Sequence, residues 1–248
     1  MSAVQRYALA SPDFEAKLAQ SQEIIEQAAQ TLSPLSQASS LSAEDMVITH
    51  LLAKTGGKVR IFVLDTGKLH AQTLELVAQI EHRYGLKVEV FKPHPDTAAA
   101  FEQMHGQRAM YQSLELRKQC CTIRKSEPLT RALAGQRGWL TGLRRQQSAS
   151  RAEVAFMEAD GDRTKVNPLA HWTTGDVWHY IGREAMVYNR LHDEFFPSIG
   201  CAPCTRAVSL GEDLRSGRWW WEEARGNKEC GLHTRVNFSM TPLQKVRT

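Results

Sequence analysis

Apolar positions along the chain recur with helical spacing in three segments. The first covers residues 14–32 and follows Ser11-Pro12, a pair that favours the start of a helix. The second follows Ser42, which precedes two acidic residues in the manner of a helix cap. The third covers residues 69–84. These segments predict three amphipathic helices in the first third of the chain.

Short apolar runs separate the helical segments. The runs at residues 59–64, 87–91 and 138–142 predict buried strands. Strands that alternate with helix-length segments indicate βαβ units, and thus an α/β fold with a parallel twisted sheet flanked by helices. Ligands bind beyond the carboxyl ends of such strands. Residues 65–67 and 142–145 lie at two of these ends and are therefore candidates for ligand binding.

Composition places the chain among ordinary globular proteins. Its 248 residues are 42% hydrophobic and 23% charged, which suits one α/β domain and favours neither disorder nor a membrane protein. No apolar run has the length of a membrane span. The first ten residues have no apolar segment of the kind found in secretory signals, so we expect a cytoplasmic location.

The net charge of +4 comes from 31 Lys and Arg against 27 Asp and Glu. Basic residues are concentrated around the cysteines, and few aromatic residues lie among them. No nucleic-acid-binding signature accompanies them. A small polyanionic substrate, or an anionic metal–thiolate centre, explains this distribution better than a nucleic acid does.

Four of the five cysteines form two close pairs, Cys120-Cys121 and Cys201-x-x-Cys204. Four thiolates are a ligand set for zinc or for an iron–sulfur cluster. Adjacent cysteines are unusual in zinc ribbons, and a cubane with separated corners accommodates them more readily, so the pattern favours [4Fe–4S]. Lys125 is placed to compensate the negative charge of such a centre. A loop held by zinc remains the alternative.

The fifth cysteine, Cys230, has no partner left within the chain. A free thiol has a pKa of about 8.5, and the positive charges of His233 and Arg235 would favour its thiolate. If Cys230 forms a covalent intermediate, a dithiol from outside the chain must release it, which indicates a partner of the thioredoxin type. An ordinary surface cysteine is the alternative.

Together these motifs resemble those of the PAPS/APS reductase family, in its iron–sulfur, assimilatory adenylyl-sulfate (APS) reductase branch. The resemblance covers most of the chain. The similar motifs are SLSAED at 40–45, LDTG at 64–67, CCTIRK at 120–125, WLTGLRR at 139–145, NPL at 167–169 with Trp172, DVW at 176–178, CAPC at 201–204 and ECGLH at 229–233.

The resemblance implies a fold like the adenine-nucleotide α-hydrolases and an activity in sulfate assimilation and cysteine biosynthesis. It implies one [4Fe–4S] cluster per subunit on Cys120, Cys121, Cys201 and Cys204. It also implies that Cys230 attacks the sulfur of adenosine 5′-phosphosulfate, so that AMP leaves and an S-sulfocysteine remains. Reduced thioredoxin, or a glutaredoxin-like dithiol, then releases sulfite.

A dianionic substrate requires cations and backbone amides around it. The expected substrate-binding residues are Ser40, Ser42, Thr66, Gly67, Lys125, Gly142, Arg144, Arg215, Arg218 and His233. The family usually has glycine at the position of Ser42, and residues 35–39 before it are more polar than the usual strand.

The alternatives include reduction of 3′-phosphoadenosine 5′-phosphosulfate (PAPS), alone or together with APS. A tRNA-thiolating enzyme of related fold would need an S-G-G-x-D-S loop, which the chain lacks, and a zinc-binding structural protein is a further alternative. We expect one domain over residues 1–224 and a mobile tail over residues 225–248 that carries the catalytic cysteine. A homo-oligomer is compatible with the sequence.

Overall fold

The structure, a computed structural model, describes residues 1–56 and 59–222. In chain order, the helices and strands of these residues are α1 (Ala3–Tyr7), α2 (Phe14–Thr31), β1 (Leu35–Ser39), α3 (Ala43–Lys54), β2 (Arg60–Leu64), α4 (Ala71–Tyr84), β3 (Val88–Phe91), α5 (Pro95–His105), α6 (Leu114–Cys121), α7 (Glu127–Ala132), β4 (Gly138–Leu140), β5 (Met157–Asp160), β6 (Arg163–Val166) and α8 (Thr174–Arg183).

The strands form one twisted sheet in the order β3-β2-β1-β4-β6-β5. All neighbouring pairs are parallel except β5 and β6, which form an antiparallel hairpin at one edge. The predicted parallel α/β fold is therefore confirmed, with one antiparallel edge strand added. Gly161, with a φ of 65°, stands in the two-residue loop of this hairpin, where a left-handed residue is required.

The central strand β1 is polar yet buried. Ser36, Gln37 and Ser39 are each no more than 4% exposed. Gln37 Nε2 donates to the carbonyl of Asp45 at 2.8 Å, and the hydroxyl of Thr49 donates to Gln37 Oε1 at 3.0 Å. Because its polar groups find partners inside the protein, β1 can occupy the middle of the sheet without an apolar sequence.

The predicted elements agree with the structure to within a few residues. Helix α2 begins at Phe14, later than the Ser11-Pro12 signal, because the Ser11 carbonyl accepts from Phe14 N in a turn before the helix. Helix α4 ends where predicted, with Gly85 in the left-handed conformation at a φ of 65°. Helix α3 is buried on most of its surface, and Met46 belongs to the main core together with β-strand and α8 side chains.

The sheet order creates a switch point between β1 and β4. The chain runs from β1 outward through β2 to β3, whereas β4 lies on the other side of β1. Crevices form at the carboxyl ends of strands where the order reverses in this way. The loops after β1, β2 and β4 therefore meet at one edge of the sheet.

None of the helices in the described part of the chain is both long and apolar enough to cross a membrane. The predicted tail over residues 225–248 lies outside the described residues.

Candidate active site

A cavity of about 280 Å³ opens at the switch point. Each strand that ends there contributes to its wall: Ser40 and Ser42 follow β1, Thr66 follows β2, and Gly142 follows β4. The residues that follow these strands thus lie around one space, as the strand-end positions of Thr66 and Gly142 predicted.

The loop between β1 and α3 turns at Leu41, which has a φ of 61°. Ser42, at the N-cap of α3, has an extended backbone with a φ of −78° and makes no side-chain capping bond. Its hydroxyl accepts instead from Ser40 Oγ at 3.1 Å. The position therefore does not need the conformational freedom of glycine, and the amides of the first turn of α3 are not capped by the Ser42 side chain.

A buried carboxylate, Asp45, joins the two loops beside the switch point. Its Oδ2 accepts from Ser40 N at 2.6 Å and from Ser40 Oγ at 2.5 Å, and it also accepts from the backbone of Gly142. A Cβ at Gly142 would lie 2.6 Å from Asp45 Oδ1, so this approach requires glycine. Burial raises the pKa of Asp45 to about 6, although the bonds from Ser40 act in the opposite direction.

Arg144, expected to bind substrate, is held by protein groups on the cavity wall. Its Nε and Nη2 donate to Glu44 Oε1 at 2.9 and 2.7 Å, and its Nη1 donates to the carbonyl of Trp172 at 3.1 Å. Burial alone would raise the pKa of Glu44, but Arg144 and a hydrogen bond from Gln147 lower it below its usual value. The ion pair therefore fixes the shape of this wall.

Three of the basic residues that line the cavity are Lys125, Arg215 and Arg218. Arg218 is 8% exposed and donates to the carbonyl of Ile199 at 3.1 Å, and its guanidinium lies 4.6 Å from the centre of the Trp219 ring. The positive charges of Lys125 and Arg218 act on the thiol of Cys204, so these two side chains lie near the cysteine pairs.

A second, much smaller cavity of about 10 Å³ lies between the two cysteine pairs. Helix α6 ends at Cys121, and a π-helical turn over Thr122–Ser126 follows it. The second pair lies on a 3₁₀ turn over Ala202–Cys204. The cysteines on its wall are Cys120, Cys121, Cys201 and Cys204, all of them buried.

The two cavities share part of their walls. Lys125, Cys201 and Trp219 line both of them. The hydroxyl of Thr66, on the wall of the larger cavity, lies 3.2 Å from the sulfur of Cys201. The cysteine pairs predicted to form one sulfur site therefore lie together, and directly beside the space predicted to hold a ligand.

Burial disfavours deprotonation of the thiols, and nearby basic residues act against this effect. Burial raises the pKa of Cys120, and burial together with Cys201 raises the pKa of Cys204 to about 12, while Lys125 acts against both shifts. Thiolates form here only if further positive charge compensates them, as bound metal ions do. The indole Nε1 of Trp219 and the Nε of Arg124 at this wall are buried donors that have no hydrogen-bond partner among residues 1–56 and 59–222.

The four cysteine side chains are the candidate metal ligands at this wall. Among residues 1–56 and 59–222, no three His, Cys, Asp or Glu side chains surround one metal-ion position. Thiolate sulfur is a ligand for zinc and for iron–sulfur clusters, so the chemistry of this donor set fits a [4Fe–4S] cluster as well as a zinc ion.

Most of the expected substrate-binding residues lie on the wall of the larger cavity. Gly67 is an exception, because it serves the turn after β2, with a φ of 69° and its amide donating to Asp65 Oδ1 at 2.9 Å. Cys230 and His233 lie outside the described residues. The residues found on this wall are Ser40, Ser42, Thr66, Lys125, Gly142, Arg144, Arg215 and Arg218.

Sequence reasoning did not single out Glu44, Asp45 or Trp219. Glu44 and Asp45 looked like ordinary acidic residues in the first turn of a helix, a common position for them. Their distinguishing signal is that they stand between a serine-rich loop and an apolar run. Trp219 stands in a run of three tryptophans, and no sequence pattern indicates which of the three is buried.

A mostly parallel sheet with a cavity at its switch point gives the chain a fold of the α-hydrolase-like class. Solved structures agree at the level of the fold. Yeast FAD synthetase superposes with a TM-score of 0.56 at 12% identity, over 83% of this chain and 73% of that one. The ammonia-dependent NAD synthetase of Campylobacter jejuni gives a TM-score of 0.51 at 11% identity, over 70% and 74%.

Within that class, the chain belongs to the phosphoadenosine phosphosulfate reductase domain family, whose model matches residues 34–207. The expected family is thereby confirmed. A phosphoadenylyl-sulfate (PAPS) reductase from Candida auris, solved as a phosphate complex, has a TM-score of 0.65 at 26% identity and covers 81% of this chain and 98% of its own.

Curated relatives bear the name adenosine 5′-phosphosulfate reductase. The protein from Allochromatium vinosum is 48% identical over 86% of this chain and 84% of its own length. The Burkholderia cepacia protein is 47% identical over 94% and 92%. The protein from Neisseria meningitidis serogroup A is 52% identical over 79% and 81%.

Proposed function

We propose that this protein reduces adenosine 5′-phosphosulfate to sulfite and AMP, with Cys230 as the nucleophile and a dithiol of the thioredoxin type as the electron donor. The observation that carries the proposal is the shared wall of the two cavities. The larger cavity, at the switch point, adjoins the smaller cavity between the cysteine pairs through Lys125, Cys201 and Trp219. The curated relatives named as APS reductases support the same reaction.

The residues of the larger cavity suit a nucleotide that carries phosphate and sulfate groups. The loop from Ser40 to Ser42 offers hydroxyls, and the amides of the first turn of α3 add an N-terminal helix dipole. Lys125, Arg215 and Arg218 offer positive charge on the cavity wall, and Lys125 and Arg218 lie near Cys204. The phosphosulfate group belongs beside these cations, because negative charge moves onto the AMP phosphate as the bond to sulfur breaks and fixed positive charge stabilises it.

The reaction balances with thiols alone. The Cys230 thiolate attacks the sulfur of the substrate, a sulfur–sulfur bond forms, and the sulfur–oxygen bond breaks so that AMP leaves with its electron pair. A thiolate of the donor then attacks Cys230 Sγ, and sulfite leaves with the electron pair of the sulfur–sulfur bond. The second thiol of the donor resolves the mixed disulfide. The donor is oxidised to a disulfide, and Cys230 returns as a thiol.

Cys120, Cys121, Cys201 and Cys204 would hold a [4Fe–4S] cluster. Such a cluster supplies a fixed centre of charge beside the substrate, whereas the thiols carry the electrons. Lys125, on the wall of both cavities, faces both sites of negative charge. Its ammonium group orients and stabilises the sulfate end of the substrate next to the cysteine site.

Two measurements test the proposal. Analysis of the purified protein should give about four irons and four sulfides per chain, and stoichiometric zinc without sulfide would contradict the cluster. The ratio of kcat/KM for APS to that for PAPS, with reduced thioredoxin as donor, measures nucleotide choice. We expect APS to be preferred. Equal values would establish dual specificity, and a preference for PAPS would contradict the proposed substrate.

A further inference from the structure

A buried ion pair joins the cysteine cavity to the last residue that the structure describes. Arg117 Nε and Nη2 donate to the two carboxylate oxygens of Glu222 at 2.7 and 3.0 Å. The Arg117 side chain is 0% exposed and that of Glu222 is 13% exposed. Two parallel charge-assisted hydrogen bonds of this kind are strong and directional. The pair fixes Glu222 against a helix that lies 105 residues earlier in the chain.

The same guanidinium belongs to the wall of the cysteine cavity. Arg117 lines that cavity and hydrogen-bonds the side chain of Cys121. It also lies 4.8 Å from the centre of the Trp219 ring, which Arg218 approaches to 4.6 Å. One buried arginine thus contacts a cysteine of the proposed metal site, the indole shared by both cavities and the carboxylate of Glu222.

In the ion pair between Arg117 and Glu222, Glu222 lies close in sequence to Cys230. Cys230 follows eight residues later, and eight extended residues reach at most about 28 Å. The place where Glu222 is held therefore sets the origin from which Cys230 must reach the substrate. A short tether with a fixed origin near its target gives a high effective concentration of the tethered group.

We propose that Arg117 and Glu222 are positioning residues that couple the cysteine site to the delivery of Cys230. The inference rests on the proposed function, since it takes Cys230 as the nucleophile. Thiolates in the cysteine site attract the Arg117 guanidinium, and the guanidinium in turn holds Glu222. The cysteine site then supports the reaction by placing the start of the nucleophile's tether, in addition to its effect on charge around the substrate.

Substitutions at the pair test the coupling in the metal-loaded protein. Glu222→Gln keeps the shape of the side chain and removes its charge, whereas Arg117→Lys keeps the charge and removes the planar fork. Glu222→Asp retains the carboxylate on a shorter stem. The matched control is Glu212→Gln, because Glu212 pairs with Arg206 through two hydrogen bonds on an exposed surface outside both cavities.

The first readout is the rate at which the S-sulfo adduct forms on Cys230 in a single turnover at saturating APS. We expect Glu222→Gln and Arg117→Lys to lower this rate about tenfold, equivalent to about 1.4 kcal/mol, with APS affinity within about twofold of the unmodified protein. Glu222→Asp should give an intermediate rate, and Glu212→Gln should match the unmodified protein. The second readout is metal loss to a chelator, which we expect to be faster in Glu222→Gln and Arg117→Lys.

The outcomes separate this inference from the proposed function. Absence of any adduct in the unmodified protein would contradict the function itself. If the unmodified protein forms the adduct and both pair variants form it at the control rate, the coupling is wrong. A loss of APS affinity equal to the loss of rate would also contradict it, because the pair would then support the whole site. Faster metal loss with an unchanged adduct rate would contradict it as well.

Discussion

Removal of Glu44 should destabilise the protein far more than removal of an exposed carboxylate with a similar partner. Glu44 accepts two hydrogen bonds from the Arg144 guanidinium, at 2.9 and 2.7 Å. The Arg144 side chain is only 4% exposed. In Glu44→Ala the Arg144 guanidinium stays buried. Among the described residues, it keeps the Trp172 carbonyl and the Thr174 hydroxyl as partners.

The expected magnitude follows from burial. Breaking a buried ion pair by removing one partner costs about 3–5 kcal/mol. For a chain of this length, that corresponds to a fall in Tm of roughly 6–20 °C. The control is Glu212→Ala, whose side chain is 33% exposed and whose partner Arg206 is 37% exposed. An exposed pair contributes about 0–1 kcal/mol.

Urea unfolding followed by circular dichroism measures both variants against the unmodified protein. Glu44→Gln, which keeps an acceptor oxygen, should fall between the unmodified protein and Glu44→Ala. Equal losses of unfolding free energy in Glu44→Ala and Glu212→Ala would refute the reasoning, because the burial of Arg144 would then have no energetic consequence.

Three further predictions concern the cavity walls. Burial raises the pKa of Asp45 from 3.8 to about 6, so the contribution of Asp45 to stability is full below about pH 4 and is lost as the pH rises through about 6. The Tm of the unmodified protein should therefore fall over this pH range. If the same fall persists in Asp45→Asn, another group causes it. Gly142→Ala places a Cβ 2.6 Å from Asp45 Oδ1 and 2.8 Å from Glu44 Cβ. The substitution should lower the free energy of unfolding by about 1–3 kcal/mol and weaken APS binding measured by calorimetry. Unchanged affinity would mean that the loops after β1 and β4 move apart freely. Lys125→Gln should lower kcat/KM for APS by about 10²–10³-fold, which is the usual effect of removing one preorganised donor. The control Lys118→Gln changes an exposed position of the same segment and should leave kcat/KM unchanged. Equal effects of the two substitutions would show that Lys125 does not contact the substrate.

The pattern of apolar residues predicted β2, β3 and β4, whose sequences are mostly apolar, and did not predict the more polar strands β1, β5 and β6. β2 and β3 were found within about a residue of their ends because β-branched residues dominate them. β1 gave only a weak signal, since Gln37 and its neighbours are stabilised by hydrogen bonds to α3. The β5–β6 hairpin was missed because its partly exposed strands, of which β5 is at the edge of the sheet, carry many charged residues.

The candidate site was predictable where its residues carry unusual chemistry. Spacing alone brought the two cysteine pairs together in one prediction, and strand-end positions did so for Thr66 and Gly142, whereas Ser40 was expected from the resemblance to the family. Contacts between distant segments gave no such signal. Glu44 and Arg144 are 100 residues apart in the chain, and an ordinary arginine and glutamate do not reveal from their types which partner each will find.

The role of Cys230 as nucleophile is tested most directly by its mass after the protein is mixed with APS and no reductant. We expect one added SO₃ group on Cys230, one AMP released per adduct, and loss of the adduct as sulfite when reduced thioredoxin is added. An unmodified Cys230, or an SO₃ group on one of the other four cysteines, would contradict this role.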